Sequence, residues 1–340
     1  MFFINISVLK ENFVKYYGGE TSGLICFKNC FGILLYGMGL ENSNIPVGSV
    51  SVSVGTYVIV RIKENNSFKI VLSDTDTQFE CPVEKLRDFN GDKMSKALFR
   101  SCAMLRGEIK GGEIFIDYSA DDKRFKRPVT ALSTALGIIN KGKMPEFEAM
   151  KFLIEDSDEE KYSVLFAELY GRKNTIINKS DDGKFEYLPF NLSGVKAVIS
   201  YVENKAVDIS KELSDEDMEK YKSNESKRVE IIKTELLKNK TITQKISKTF
   251  KTSAFELFRM LGKSTDFIAD MYRISEETGH IKAVVPVFSI GGICAFVEDK
   301  DTDQYVEKLS LEYQKKAGRM PAFCICDSDS GAIISDIESK

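Results

Sequence analysis

The sequence lacks the usual ingredients of a metal site. The 340 residues include a single histidine, His280, and seven cysteines. The closest cysteine pairs are Cys26 with Cys30 and Cys324 with Cys326, and neither has the C-x-x-C spacing typical of metal sites. The cysteines lie mostly inside apolar runs, which is typical of buried, reduced thiols. We therefore expect no metal site and a cytoplasmic protein.

A strong charge excess and a long apolar run are also missing. The formal net charge is −3, so the chain lacks the excess of positive charge that favours nucleic acid or anionic lipid as a partner. No apolar run approaches the ~20 residues that a membrane span needs. The stretch MFFINISVLKENF has neither the basic region nor the long apolar run of a signal peptide. We therefore expect neither nucleic-acid binding nor membrane insertion.

What is present is an ordinary globular composition, with 43% hydrophobic and 29% charged residues, in a chain long enough for two domains. Predicted strands and helices alternate irregularly, which indicates an α+β protein with mixed sheets covered by helices. We place the domain boundary near residue 180, giving domains 1–180 and 181–340. Residues 50–62 alternate in polarity and residues 68–72 follow a short polar turn, which predicts a hairpin. The acidic run 155–161 is typical of a solvated loop.

The most informative stretch is 283–332. An apolar run reaches a turn at Gly291 and Gly292, and residues 293–297 then read as a buried strand. After a polar break comes an amphipathic helix, ended by Gly318, and residues 322–326 form another predicted strand.

This arrangement resembles the C-terminal end of galactokinases, members of the GHMP superfamily of small-molecule kinases. In that family a loop of the form G-x-G-F-G-G-C leads into such a strand and helix. Only the second glycine pair, Gly291 and Gly292, is kept here. The resemblance implies a two-domain GHMP-kinase-like fold, with these glycines as nucleotide-binding candidates.

The resemblance extends to the family motif A-P-G-R-V-N-L-I-G-E-H-T-D-Y-N. Residues 27–37 keep its register without a gap. The arginine that faces the transferring phosphate falls on Gly32, and the sugar-holding glutamate falls on Met38. The histidine falls on Gly39 and the aspartate on Glu41, which alone keeps a carboxylate and is the sugar-binding candidate. Glycine and methionine cannot supply the charge-assisted hydrogen bonds that hold a sugar.

The family's phosphate-binding motif, P-x-G-x-G-L-S-S-S-A, would fall on residues 121–130, between a predicted strand and a predicted helix. Glycines in such a loop let backbone N–H groups approach the phosphate. Here the segment contains no glycine, and Pro128 removes one N–H group. Four basic side chains could bind an anion instead, although a solvated basic loop is the favoured interpretation. These nucleotide-binding candidates are Lys123, Arg124, Lys126 and Arg127.

The family's catalytic aspartate, in G-I-M-D-Q-F-A-S-A-F-G, corresponds to Val164. Valine cannot accept a proton or polarise a hydroxyl group, so no catalytic residue is assigned. Glu168 lies about one helical turn further on. It could replace the aspartate, but we expect it to be a surface residue because glutamate is mostly exposed.

The resemblance therefore implies a galactokinase-like protein that has lost ATP-dependent sugar phosphorylation. Such a pseudokinase would sense a sugar or nucleotide, regulate an active kinase homologue, or bind another protein. The alternative is an active galactokinase or other small-molecule kinase. It would transfer the γ-phosphate of Mg-ATP to a sugar hydroxyl through a rebuilt site containing Glu41, Glu168 and the loop 123–127.

Overall fold

The computed structural model describes residues 5–40, 45–103, 111–142, 144–155, 157, 159, 164–179, 184–202 and 206–334. It confirms the expected α+β class. The helices are α1 (Ile6–Tyr17), α2 (Lys93–Ala103), α3 (Pro128–Lys141), α4 (Phe147–Ile154), α5 (Leu165–Tyr170), α6 (Ile209–Glu212), α7 (Asp215–Asn239), α8 (Gln244–Leu261), α9 (Asp266–Thr278) and α10 (Thr302–Ala317). The strands are β1 (Ile25–Tyr36), β2 (Val47–Ile62), β3 (Ser67–Leu72), β4 (Thr77–Pro82), β5 (Gly112–Tyr118), β6 (Thr175–Lys179), β7 (Phe185–Pro189), β8 (Val195–Tyr201), β9 (Ile281–Val287), β10 (Gly292–Glu298), β11 (Ala322–Cys326) and β12 (Ala332–Ile334).

The chain folds into two compact units, and neither is one continuous segment. The first unit comprises Met1–Phe31, Val54–Tyr170 and Ser330–Lys340, and the second comprises Gly32–Ser53 and Gly171–Asp329. The chain changes unit inside both β1 and β2. The single boundary near residue 180 stays a prediction, and the nearest change of unit is at Tyr170. Within the described ranges, no helix has the length and apolar character to cross a membrane.

In the first unit the strand order is β12-β1-β2-β5-β3-β4. The predicted hairpin between residues 50–62 and 68–72 is wrong, because β5 lies between β2 and β3, antiparallel to one and parallel to the other. Alternating polarity identifies a strand but not its partner. A Cβ atom on Gly111 would stand 2.3 Å from Asn65 Oδ1 and 2.4 Å from the Ser67 carbonyl oxygen. Because Gly111 has no side chain, the chain can enter β5 close beside the turn between β2 and β3.

The strands of the first unit separate two apolar clusters. On β2, Val58 and Val60 pack on one side with residues of α2 and α3, whereas Tyr57 and Ile59 pack on the other with α1. The alternation follows from the two-residue period of a strand. The sheet is thus covered on both faces, and α3 is anchored with its N-terminus at the end of the loop that follows β5.

The second unit contains an antiparallel sheet of order β11-β8-β10-β9. Helix α8 packs on β9, and α9 and α10 contact β10. The glycine pair retained from the family motif lies where β10 begins. Gly291 has a left-handed backbone with φ of 67°. A Cβ atom on Gly292 would lie 2.1 Å from the Ser200 carbonyl oxygen of the neighbouring strand. Gly292 therefore has a packing role in the sheet, whereas Gly291 supplies the left-handed turn that precedes β10.

We expect Gly292→Ala to lower the free energy of unfolding by about 2 kcal/mol, since the added methyl group meets a backbone atom of β8 and the strands must separate. Urea denaturation would measure the change. Gly318→Ala is the matched control. At Gly318 the backbone is left-handed but a Cβ atom would meet nothing within 4 Å, so only the conformational cost applies. An equal or smaller loss for Gly292→Ala would contradict the packing role.

Candidate functional site

The N-terminus of α3, in the first unit, is the place where the family motif predicts a phosphate site. The helix begins with Pro128, which suits a first helical position because the N–H group there needs no helical partner. The next N–H groups, of Val129 and Thr130, also lack helical acceptors. A helix end of this kind attracts anions through these N–H groups and through the helix dipole.

The anion at this helix end is the protein's own Glu159. Its carboxylate accepts hydrogen bonds from the Val129 amide at 2.5 Å and the Thr130 amide at 3.0 Å. Thr130 Oγ1 donates a further bond to it, at 2.8 Å. The Glu159 residue is 3% exposed. Glu159, 30 residues after Val129 and 29 after Thr130, thus accepts the hydrogen bonds that these N–H groups would otherwise offer to a phosphate.

Glu159 is held between opposing electrostatic effects. Burial raises the pKa of its carboxyl group from the ordinary value of 4.5 to about 7, against the hydrogen bonds from Val129 and Thr130 and the charge of Arg127. The carboxyl group therefore exchanges its proton close to neutral pH.

Arg127, directly before the helix, is fully buried. Its Nε donates to Glu168 Oε1 at 3.0 Å, and its Nη1 donates to the carbonyl oxygens of Arg124 and Lys126 at 2.9 and 3.0 Å. The guanidinium also lies over the Phe31 ring, 4.9 Å from its centroid. The side chain is thus committed to contacts inside the first unit.

The expected solvated basic loop is wrong for two of its four basic residues, because both arginines are buried. Arg124 binds both carboxylate oxygens of Asp122, at 2.9 and 2.6 Å. Burial opposes ionisation of Asp122, but the hydrogen bonds and charge of Arg124 outweigh it and lower the pKa of the carboxyl group. Lys126 pairs with Asp74 at 2.6 Å, and Lys123 is exposed.

The surface position expected for Glu168 is also wrong, since this residue on α5 is fully buried. Its carboxylate neutralises Arg127, as a buried charge requires. Val164, at the position of the family's aspartate, lies just before α5 and accepts hydrogen bonds from the amides of Ala167 and Glu168 through its carbonyl oxygen. Its side chain is apolar and buried, so the structure gives this position no proton acceptor.

A cavity of about 570 Å³ lies beside the same loop in the first unit. Its volume is typical of small-molecule sites, which range over about 300–1,000 Å³. Its wall combines aromatic rings with three carboxylates and two lysines. The lining residues are Asn12, Lys15, Tyr16, Ser73, Asp74, Phe115, Asp117, Tyr118, Ala120, Asp121 and Lys126.

The candidates from the first family motif lie in the second unit. Gly32 is part of β1 and has no side chain to offer, and Met38 is buried. Gly39 has φ of 76°, and a Cβ atom there would lie 2.8 Å from Cγ2 of Ile209. Any side chain at position 39 would be strained and would meet Ile209. Glu41 falls outside the described residues.

The backbone of the turn that follows β1 is bound by a buried carboxylate, that of Glu225. The Gly37 amide donates to Glu225 Oε1 at 3.0 Å. Glu225 Oε2 also accepts bonds from Ser253 at 2.8 Å and Arg228 at 3.1 Å. The carboxylate that contacts this turn is therefore engaged in holding α7 and α8 to the chain after β1.

No protein-family model matches the sequence, and no curated protein matches it. Solved structures, in contrast, match over almost the whole length. The galactokinase of Lactococcus lactis, crystallised with galactose, superimposes with a TM-score of 0.74 over 97% of this chain and 99% of that chain, at 14% identity. The chain has a galactokinase-like fold.

Other kinases of the GHMP type share this galactokinase-like fold. The mevalonate kinase of Methanococcus jannaschii has a TM-score of 0.65 over 90% of this chain and 98% of that chain, at 13% identity. The homoserine kinase of Cytophaga hutchinsonii has a TM-score of 0.57 over 93% of this chain and 98% of that chain, at 14% identity. The predicted two-domain GHMP-kinase-like fold is thereby confirmed, and at these identities the similarity concerns the fold alone.

Sequence reasoning missed Glu159, the residue with the most informative contacts. It lies in the acidic run 155–161, which the sequence predicts to be a solvated loop, and for Glu159 that prediction is wrong because the residue is buried. The available signal was a helix start without a conventional capping side chain: Arg127 stands where serine, threonine, aspartate or asparagine is usual. Such a helix end requires an acceptor from elsewhere in the chain.

Proposed function

We propose that this galactokinase-like protein does not transfer phosphate from ATP and acts instead by recognition, as a sensor or as the regulatory partner of an active kinase. The Glu159 carboxylate on the Val129 and Thr130 amides carries the proposal. In the family resemblance these amides belong to the phosphate cradle. A triphosphate arriving there would have to displace the buried Glu159 side chain, which already occupies the N–H groups that a phosphate would need.

The residues around α3 do not fit Mg-ATP in other respects. Residues 121–130 contain no glycine that would let the backbone approach the phosphates. Arg127 is the basic side chain nearest the helix, but its guanidinium is buried against Glu168 and backbone carbonyl groups. We therefore derive no phosphoryl-transfer step at this site.

The proposed absence of catalysis also has support at the position of the base. Val164 cannot accept a proton, and Glu168 is the nearest carboxylate on α5. Because Glu168 is fully buried and paired with Arg127 at 3.0 Å, it is not placed to take a proton from a sugar hydroxyl. On the sugar side, Gly39 and Met38 offer no polar side chain, which argues against recognition of galactose by the family's contacts.

The cavity beside the loop favours a small-molecule sensor. Its wall contains more carboxylates than ammonium groups. The carboxylates are those of Asp74, Asp117 and Asp121, and the ammonium groups are those of Lys15 and Lys126. This balance disfavours a polyanion such as ATP and favours a neutral or cationic polar ligand. Tyr16 and Tyr118, which also line the cavity, would contribute apolar contact area to such a ligand.

The test is a thermal-shift and calorimetry series with Mg-ATP, Mg-ADP, galactose and a panel of hexoses, followed by a coupled phosphorylation assay. A ligand at one hundred times its Kd stabilises a protein by about 2.7 kcal/mol, which is a shift of several degrees. We expect no shift with either nucleotide and no turnover. The galactokinase of Lactococcus lactis is the positive control. A shift with Mg-ATP accompanied by turnover would establish the alternative, an active kinase with a rebuilt site.

A further inference from the structure

The second unit contains two thiols in close contact on an edge strand. Cys324 and Cys326 lie two residues apart on β11, so their side chains project from the same face. Their Sγ atoms are 3.6 Å apart, and both cysteines are unoxidised. Cys326 is buried, whereas Cys324 is partly exposed. Cys324 is thus the more exposed residue of the pair, and the Cys326 sulfur lies beside its own.

The contact gives the two sulfurs different chemical character. The hydrogen bond from Cys326 lowers the pKa of the Cys324 thiol, although burial opposes the shift. A thiolate, and not a thiol, is the nucleophile in disulfide exchange. The lowered pKa favours the thiolate form of Cys324, which is also the more exposed residue of the pair, and Cys326 lies within reach as the second, resolving sulfur.

We propose that Cys324 and Cys326 form a redox-active dithiol that exchanges with the disulfide of a low-molecular-weight thiol. The Cys324 thiolate attacks one sulfur of the small disulfide, which forms a mixed disulfide and expels one small thiolate. The Cys326 thiolate then attacks Cys324 Sγ, which closes the protein disulfide and expels the second small thiolate. The two protons of the protein thiols end on the two released thiolates, and the small disulfide is the species reduced.

Closing the bond changes the strand locally. A disulfide needs an S–S distance of about 2.05 Å, so the two Sγ atoms must approach each other by roughly 1.5 Å. On an extended strand this requires the backbone between the two cysteines to pucker.

The residue after the pair links the strand to its surroundings within the second unit. The Asp327 amide donates to Ser53 Oγ at 3.0 Å, and Asp327 Oδ1 accepts from Lys196 Nζ at 2.7 Å. Puckering at Cys326 would shift Asp327 and weaken these contacts. We therefore expect oxidation to weaken the contacts of Asp327 with Ser53 and with Lys196 on β8.

The experiment exposes the native, reduced protein to glutathione disulfide and follows it by intact mass and by peptide mapping after alkylation. We expect the wild-type protein to become lighter by two hydrogens and to yield a Cys324–Cys326 linked peptide. Cys326→Ser should stop at a stable glutathione adduct on Cys324, and Cys324→Ser should not react. Cys102→Ser is the control, since Cys102 is buried on α2 in the first unit and should leave the wild-type result unchanged.

A second readout separates loss of the dithiol from loss of folding. Phenylarsine oxide, a trivalent arsenical, needs two neighbouring thiols, and we expect one equivalent to bind the wild-type protein and none to bind either serine variant. Circular dichroism should show all three variants folded. A wild-type protein that keeps a glutathione adduct on Cys324, forms a different disulfide, or remains unmodified would overturn the proposal.

Discussion

Replacing Glu168 by alanine is expected to lower the free energy of unfolding by about 3–5 kcal/mol, because it removes the carboxylate that is hydrogen-bonded to the buried Arg127 side chain. Both side chains are fully excluded from solvent, and Arg127 Nε lies 3.0 Å from Glu168 Oε1. The guanidinium would keep its bonds to the Arg124 and Lys126 carbonyl oxygens and its attraction to Glu159, but it would lose its hydrogen-bonded ion pair. Urea denaturation of the variant and the wild-type protein measures the difference.

The control is an exposed ion pair of the same chain. Glu312 lies 2.6 Å from Lys315 on α10, with side chains 47% and 69% exposed, and Glu312→Ala should cost less than about 1 kcal/mol. The double variant Arg127→Met with Glu168→Leu removes both charges and should lose less than the sum of the single losses at these positions. A Glu168→Ala cost no larger than that of Glu312→Ala would show that the buried pair is not a structural element.

The stability of the wild-type protein should decrease as the pH rises from about 4.5 to about 7, and Glu159→Gln should abolish much of this decrease. Burial raises the pKa of Glu159 to about 7 in the folded protein, against an ordinary value of 4.5. Between these values the folded protein retains a proton that the unfolded chain has released. The stabilisation is complete below pH 4.5 and is lost as the pH passes 7, by on the order of 3 kcal/mol.

Urea denaturation at pH 5 and pH 8 of the wild type and of Glu159→Gln tests this directly. The informative quantity is the difference between the two proteins in their change with pH, since all other titrating groups are shared. Glu216→Gln, at an exposed position on α7, is the control and should keep the wild-type dependence. An unchanged pH dependence in Glu159→Gln would mean that this carboxyl group titrates alike in the folded and unfolded chains.

The elements of the fold were largely predictable because hydrophobic periodicity marks strands and helices locally. Residues 50–62 and the stripe on α10 are cases in which the sequence pattern and the structure agree. The partner of a strand is a different matter, since it depends on which segment arrives from elsewhere in the chain. Strand β5 enters between β2 and β3 where Gly111 approaches Asn65 and Ser67 closely, and no local sequence pattern predicts that approach.

The contacts of the candidate site were less predictable for a related physical reason. A charged side chain can be buried only where an opposite charge or a set of hydrogen bonds compensates it. Arg127, Glu159 and Glu168 are charged residues that ordinary statistics place on the surface. Their burial depends on partners about thirty to forty residues away, so the sequence alone predicted two solvated loops and a surface glutamate where the protein has buried, paired side chains.

The pairing of β12 with β1, which joins a late strand to an early one, has a consequence for biosynthesis. Strand β12 pairs with β1, so that Phe27 stands opposite Ile334, and the first unit therefore includes both early and late parts of the chain. On a ribosome the early strands emerge long before their last neighbour has been translated. The edge of β1 that β12 will cover must wait unpaired, or be shielded by a chaperone, until translation has passed residue 334.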